Sequence, residues 1–326
     1  MSKTRWGILG TGNIASQFAR GLAALDDAEL VAVGSRTPES AAAFGEKFGA
    51  QRRHGSYAAL ASDPEVEAIY VATPHPLHKD NTLLCIQAGK AVLCEKPFAI
   101  NAGEAQEMIA AARARGVFLM EAMWTRFLPH MVRLRELLAA EAIGEVRMLQ
   151  ADFGFRTGFN PQGRLFDPAL GGGALLDVGI YTASLASMVF GAPERVTSMA
   201  DLGATGVDEQ SALIFGYSGG RLALLSQAIR TSSPHEALLL GTKGKIRVHG
   251  SWWKGAPITL SVDGQPDQVI DVPSVGNGYN YEAAEVGRCL REGRTESEVM
   301  PLDETLAIMR SLDEVRGQWG LRYPGE

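Results

Sequence analysis

Three side chains in this sequence are suited to moving a proton. Lys96 closes the apolar run Ala91-Val92-Leu93-Cys94-Glu95-Lys96-Pro97. A lysine ending a buried strand is either functional or snorkels to solvent. Pro97 biases it towards extended backbone and could fix it through a cis bond, and that rigid strand-end position favours a functional role. Asp177 and Tyr181 follow Gly171-Gly172-Gly173. Four residues apart on a helix, they project from one face. The glycines let backbone approach a flat ligand, or make a merely flexible loop. Taken alone, the Asp177/Tyr181 pair reads as a capping acid and a core tyrosine.

A second constellation suits phosphate. Gly10-Thr11-Gly12-Asn13-Ile14-Ala15 follows a strand-like run and opens a helical pattern. The first glycine permits a tight turn, the second lets backbone approach a pyrophosphate, and Ala15 allows close helix–sheet packing. The helix N-terminus offers N–H groups and a positive dipole end. In this strand–turn–helix context the motif predicts dinucleotide binding. About 20 residues on, where an NAD site places a carboxylate for the ribose 2′-hydroxyl, stand Ser35 and Arg36. A hydroxyl with a guanidinium suits a 2′-phosphate. NADP is therefore the expected cofactor, against a relaxed site that also admits NAD and a solvated Arg36.

Smaller signals surround these. Thr73, Pro74, His75 and His78 follow the strand-like Glu67–Ala72 and so lie, with Glu95 and Lys96, at the carboxyl edge of the predicted sheet, where such domains bind ligands. They read as cofactor contacts or, for the histidines, as helix-capping groups. His75-x-x-His78 has no third ligand at metal spacing, so no metal is expected. Trp124 and Arg126 stand near the boundary between the predicted domains. Trp124, Trp253 and Tyr279 read as pocket walls or as ordinary core aromatics, and Arg126 as a cofactor contact.

The elements that must position these groups follow from periodicity. Arg5–Gly10, Glu29–Ser35, Glu67–Ala72, Ala91–Glu95 and Val117–Glu121 are apolar and strand-like, with helical patterns between them. One helix opens at Asn101 with Glu104 as its capping-box partner. Apolar strands alternating with helices predict an α/β, doubly wound parallel sheet over residues 1–122. Residues 123–326 predict an α+β domain with a large open, mostly antiparallel sheet. Its runs are Gly144–Phe155, the hairpin Gln210–Tyr217/Arg221–Ile229, Glu236–Gly241, Lys245–His249 and Ile258–Val262, and helices Tyr281–Arg291 and Leu302–Trp319 close it.

Composition narrows the function classes. The 326 residues are 46% hydrophobic and 21% charged, enough for two cores. With 31 basic against 37 acidic side chains the formal net charge is −6, and no Lys/Arg block appears, which argues against a nucleic-acid partner. Cys85, Cys94 and Cys289 are too few for a disulfide framework or a four-thiolate zinc site. The apolar stretch Ala174–Gly191 is broken by Asp177 and Tyr181 and does not read as a membrane span. A cytoplasmic protein is expected.

With these blocks in hand, the chain resembles the Gfo/Idh/MocA oxidoreductase family over nearly its whole length. Within it, Ala91–Pro97, Phe118–Phe127, Gly172–Tyr181, Gly241-Thr242-Lys243-Gly244 and Tyr281-Glu282-Ala283 look like the branch of dimeric dihydrodiol dehydrogenases and NADP-dependent D-xylose dehydrogenases. The resemblance implies a Rossmann domain holding a nicotinamide cofactor. It also implies hydride transfer to or from a secondary alcohol, hemiacetal or carbonyl of a sugar or cyclic diol. Lys96 matches the family lysine and Asp177 the family aspartate. Many members carry histidine where this chain has Tyr181, and that departure selects the branch.

A free tyrosine ionises near pH 10, too high for a good base near neutrality. A neighbouring ammonium stabilises the phenolate. Tyr181 as acid/base with Lys96 as its electrostatic partner is the economical assignment, with the reverse roles open because coupled groups share their titration. An NAD-dependent glycosidase of the same fold and a non-catalytic NAD(P)-sensing regulator are the other readings. The C-terminal sheet carries apolar residues on both faces, so a homodimer or dimer of dimers is expected through its open face. In the alternative, a monomer, the segment Trp252–Gln268 covers that face.

Overall fold

The structure, a computed structural model, describes residues 3–326. The chain divides into two compact units, Met1–Phe127 with Val275–Leu306, and Leu128–Ser274 with Ala307–Glu326. The sequence reading gave everything after residue 122 to one domain. The correction has a physical cause, since residues 275–306 pack into the core of the first unit and bring buried groups to it.

In the first unit, β1 (Thr4–Leu9), β2 (Ala28–Gly34), β3 (Arg52–His54), β4 (Ala68–Val71), β5 (Ala91–Glu95) and β6 (Leu119–Ala122) form one sheet. Their order is β3-β2-β1-β4-β5-β6, and every pairing is parallel. Strands β4, β5 and β6 are wholly buried, as near-continuous apolar runs in a covered sheet must be. The helices are α1 (Asn13–Leu22), α2 (Pro38–Phe48), α3 (Tyr57–Ala61), α4 (His78–Gln87) and α5 (Ala102–Arg115). Thr37, Ser56 and Asn101 cap α2, α3 and α5 with their side-chain oxygens. Phe18 of α1 stacks on Tyr70 of β4 at 3.8 Å and meets Trp6 of β1 edge-on, which fixes α1 to the sheet.

The second unit opens with α6 (Pro129–Ala139) and is built on eight strands. They are β7 (Val146–Gly154), β8 (Arg195–Leu202), β9 (Asp208–Gly216), β10 (Leu222–Ala228), β11 (Ala237–Gly241), β12 (Gly244–Val248), β13 (Ile258–Val262) and β14 (Gln268–Ile270). The order is β14-β13-β12-β11-β7-β10-β9-β8. All neighbours are antiparallel except β7 and β10, which run parallel. A single π-turn (Leu175–Gly179) leads into α7 (Ile180–Phe190). The stretch Pro168–Phe190 is long and apolar enough to cross a membrane, but 83% of its most apolar window is buried inside the fold.

Alternation splits the sheet into two faces. Leu149, Leu213, Phe215, Ala223, Leu225, Leu239 and Ile246 are buried, whereas Met199, Ile214 and Leu224 are exposed. The segment Trp252–Gln268 does not cover this open face. Its strand β13 pairs with β12 and β14 and so extends the sheet sideways. After residue 275 come α8 (Tyr279–Arg291) and α9 (Leu302–Trp319).

Candidate active site

The phosphate loop of the first unit is shaped by its glycines. Gly10 follows β1 with φ +109°, and a Cβ there would stand 2.8 Å from the Ala72 carbonyl oxygen, so only glycine fits. Gly12 is the N-cap of α1 and lends it no side chain; a Cβ added to it would meet nothing within 4 Å. The first turn of α1 carries no acidic residue. Open space before an uncapped helix N-terminus is the cradle a pyrophosphate requires, so Gly10, Thr11, Gly12, Asn13 and Ile14 fit a dinucleotide. Ser35, just past β2, is buried with its Oγ 3.4 Å from Thr11 Oγ1, which draws strand end and loop together. Arg36 is exposed, and its charge reaches Tyr57, whose phenol burial pushes above its ordinary value.

At the carboxyl edge of this sheet the Lys96–Pro97 peptide is cis. His78 is fully buried, with Nδ1 2.8 Å from the Pro97 carbonyl and Nε2 2.8 Å from that of Thr73. It staples the end of β4 to the turn after β5, and burial lowers its pKa. Thr73 Oγ1 accepts from Asn81 Nδ2 at 3.2 Å. Pro74 is exposed and His75 half-buried, its ring 5.7 Å from that of His78.

His78, expected as a cofactor contact or a capping group, thus faces inward, and two further expected cofactor contacts do the same. Glu95 is buried, and its carboxyl accepts from the Tyr70 hydroxyl and from the Lys96 N–H. Burial pushes its pKa up to about 7. Glu282 of α8 is also fully buried, and neither carboxyl oxygen has a hydrogen-bond partner among the described residues. Burial, then the nearby Glu95, raises its pKa well above the carboxylate range. Arg126 is likewise buried, with its guanidinium 2.7 Å from Glu304 and 3.3 Å from the Val299 carbonyl. It ties the chain after β6 to the start of α9. Glu95 and Arg126 are therefore both held by hydrogen bonds beneath the edge.

Sequence reasoning also missed Glu121, which accepts from the Phe98 N–H and the Thr305 hydroxyl and so holds the turn after Pro97. Trp124 and Tyr279 stack at 4.7 Å with planes 12° apart. That face-to-face pair joins two aromatics distant in sequence.

In the second unit Tyr181 is buried, its ring 5.4 Å from Phe153. Phe153 stacks on Trp253 at 3.6 Å, and His235 meets both edge-on. Asp177 Oδ1 accepts from Arg164 Nη1 at 2.6 Å. Asp177 lies within the π-turn and Tyr181 in the first turn of α7, so their four-residue spacing does span a helical turn. Phe153, Arg164 and His235 were not read from the sequence. Phe153 sits on the buried alternation of β7 and was visible only as core; the other two occupy irregular loops with no periodic signal. Together these groups can hold a ring by its apolar face and meet its hydroxyls with a phenol and a carboxylate.

Residues 4–123 match the family described as "Oxidoreductase family, NAD-binding Rossmann fold", and residues 131–247 match the "GFO/IDH/MocA C-terminal domain". The trans-1,2-dihydrobenzene-1,2-diol dehydrogenase of Mus musculus is 42% identical over 332 residues, covering 98% of both chains. The Homo sapiens protein of the same name is 40% identical over the same span. Among solved structures, an aldose-aldose oxidoreductase from Caulobacter crescentus superposes with a TM-score of 0.88 at 26% identity over 98% of both chains. The fold is also that of the 3-ketoreductase KijD10 from Actinomadura kijaniata, solved with NADP and TDP-benzene. That match has a TM-score of 0.87 at 24% identity and covers 97% of this chain and 98% of the other.

Proposed function

The chain belongs to the Gfo/Idh/MocA oxidoreductase family, and we propose that within it this protein transfers hydride between NADP and a secondary alcohol of a cyclic trans-diol or a sugar. It is a dehydrogenase acting on CH–OH groups, with a Rossmann domain for a nicotinamide dinucleotide. The substrate class rests on the names of its relatives and on the aromatic wall of Phe153 and Trp253 beside Tyr181. That wall is the observation that carries the reading. It suits the C–H faces of a ring, while Tyr181 and Asp177 suit the hydroxyls.

The loop Gly10–Ile14 and the α1 N-terminus would hold the pyrophosphate, Ser35 and Arg36 the 2′-phosphate, and Thr73, Pro74 and His75 the ribose side of the sheet edge. When bound, NADP accepts or supplies hydride at nicotinamide C4. Tyr181 takes or gives the hydroxyl proton at its phenolic oxygen. Lys96, at the end of β5 with its own N–H bonded to Glu95, is the family lysine that the resemblance implies, and its ammonium would favour a phenolate. Asp177, steadied by Arg164, orients a substrate hydroxyl. Trp124 and Tyr279 form a separate aromatic stack in the first unit.

This reading includes a cytoplasmic homodimer assembled through the open sheet face, supported by its exposed Met199, Ile214 and Leu224. Assay of trans-dihydrodiols, pentoses, hexoses and anhydrosugars with NADP and NAD tests it. Turnover of a diol or sugar with preference for NADP is expected. Intact cofactor binding without turnover of any of them overturns it.

A further inference from the structure

A string of buried polar side chains runs beneath the π-turn that carries Asp177. Asp208, at the start of β9, is fully buried. Its Oδ2 accepts from the Leu175 N–H at 2.8 Å and from the Ser211 hydroxyl at 3.4 Å. Ser211 Oγ accepts in turn from Gln227 Nε2 at 2.6 Å. The Gln227 side chain packs on Gly179, where an added Cβ would lie 3.1 Å from it. Leu175 and Gly179 are the first and last residues of the π-turn. Both ends of the turn therefore rest on one hydrogen-bonded string supplied by β9 and β10.

The glycine loop ahead of the turn is fitted to the same carboxyl group. Gly173 has φ +116°, and a Cβ there would stand 2.2 Å from Asp208 Oδ1. The Gly172 carbonyl accepts from the Tyr323 hydroxyl at 2.6 Å. A carboxyl group is costly to bury when an apolar side chain would fill the same space. Here it caps, from a strand, a helical N-terminus that has no cap of its own. π-turns recur at functional sites, and this one contains Asp177 and leads into α7, where Tyr181 stands.

We propose that Asp208, acting through Ser211 and Gln227, is a positioning residue that holds the π-turn so that Asp177 and Tyr181 meet the substrate. The proposal rests on the functional reading above and adds three residues to it. None of the three touches the reacting atoms; their effect passes through the turn.

The test compares Asp208→Ala, Asp208→Asn and Ser211→Ala in the full chain. For each, amide hydrogen exchange over residues 171–181, NADP affinity, kcat and KM are measured. Asp208→Ala should speed exchange in 171–181 at least about tenfold while the rest of the second unit keeps its rates. It should lower kcat at least about tenfold with NADP affinity within about twofold, because misaimed groups lose rate before cofactor binding. Asp208→Asn, whose amide oxygen still accepts from Leu175, should recover kcat to within about threefold. Ser211→Ala should shift both readouts in the same direction by less.

Unchanged exchange and kcat in Asp208→Ala overturn the proposal. So does faster exchange spread over the whole unit and not relieved by Asp208→Asn, which marks a general structural role. Should Asp208→Ala not fold, wild-type values for both readouts in Ser211→Ala overturn it equally. A wild-type protein that turns over no diol or sugar defeats the functional reading, and the exchange arm then decides the proposal alone.

Discussion

At the scale of single residues the proposed reading rests on Tyr181 as the acid/base. Its phenol must give up a proton far below the ordinary tyrosine pKa of about 10 to work near neutrality. Tyr181→Phe keeps the ring that meets Phe153 and removes only the hydroxyl. It should lower kcat by roughly 10²-fold or more with NADP affinity unchanged, and steady-state rates within threefold of wild type would exclude it as the acid/base. Arg36→Ala should weaken NADP by about 2 kcal/mol and NAD far less, as loss of a charge-assisted phosphate contact implies. Equal losses in a binding titration would mean that Arg36 packs on adenine. Glu282 gives a pH prediction. Its folded pKa lies above the ordinary 4.5, so above that value the native state keeps a proton that the unfolded chain has released, and stability falls as pH rises. Glu282→Gln removes this slope, so its melting temperature relative to wild type should climb from about pH 5 to about pH 8. A difference flat with pH would show Glu282 ionised in the fold. At this scale the sequence made Gly10 and Gly12 legible because their fit follows from local backbone geometry. It could not show that Glu95 and Arg126 face inward, because their partners, Tyr70 and Glu304, lie far away along the chain.

At the scale of elements, caps and periodicity were the readable signals. Asn101 Oδ1 accepts from the Glu104 N–H at 2.9 Å, and the Glu104 carboxyl reaches back to the Ile100 N–H. Asn101→Ala should cost about 1 kcal/mol, seen in urea unfolding as a lower midpoint at unchanged slope. An unaffected midpoint would mean that α5 is held by packing alone. The apolar strands β1, β4, β5 and β6 stand within a few residues of their expected positions. Strand β3 escaped notice because Arg52-Arg53-His54 has no apolar residue, and only its pairing with β2 makes it a strand. The π-turn was equally illegible: Leu175–Gly179 reads as ordinary helix, and its contacts, Asp208 and Gln227, come from strands that lie later in the chain.

At the scale of the whole molecule, the open sheet face sets the expected assembly. Light scattering at micromolar concentration should give about twice 34.9 kDa, and Leu224→Glu, which plants a charge at the middle of that face, should return the mass to near 34.9 kDa with cofactor binding intact. A wild-type mass near the single-chain value defeats the prediction. The domain organisation was the least legible feature, because the pattern of residues 275–306 says helix without saying which core it joins. Those residues give the first unit the Thr295 carbonyl that accepts from the Leu119 N–H, the Thr305 hydroxyl on Glu121 and the Glu304 carboxylate on Arg126. A ribosome therefore releases all six strands of the first sheet before the segment that completes them. At roughly 5–20 residues per second, residues 128–274 hold that segment back for about 7–30 s. The second unit waits in its turn for Tyr323, which arrives later still to grip Gly172. Each half is thus born unfinished, with buried charges and carbonyls exposed until its late segment emerges. During that interval nascent-chain chaperones have the most to bind, and no cut between the halves yields a complete domain to lend to another gene.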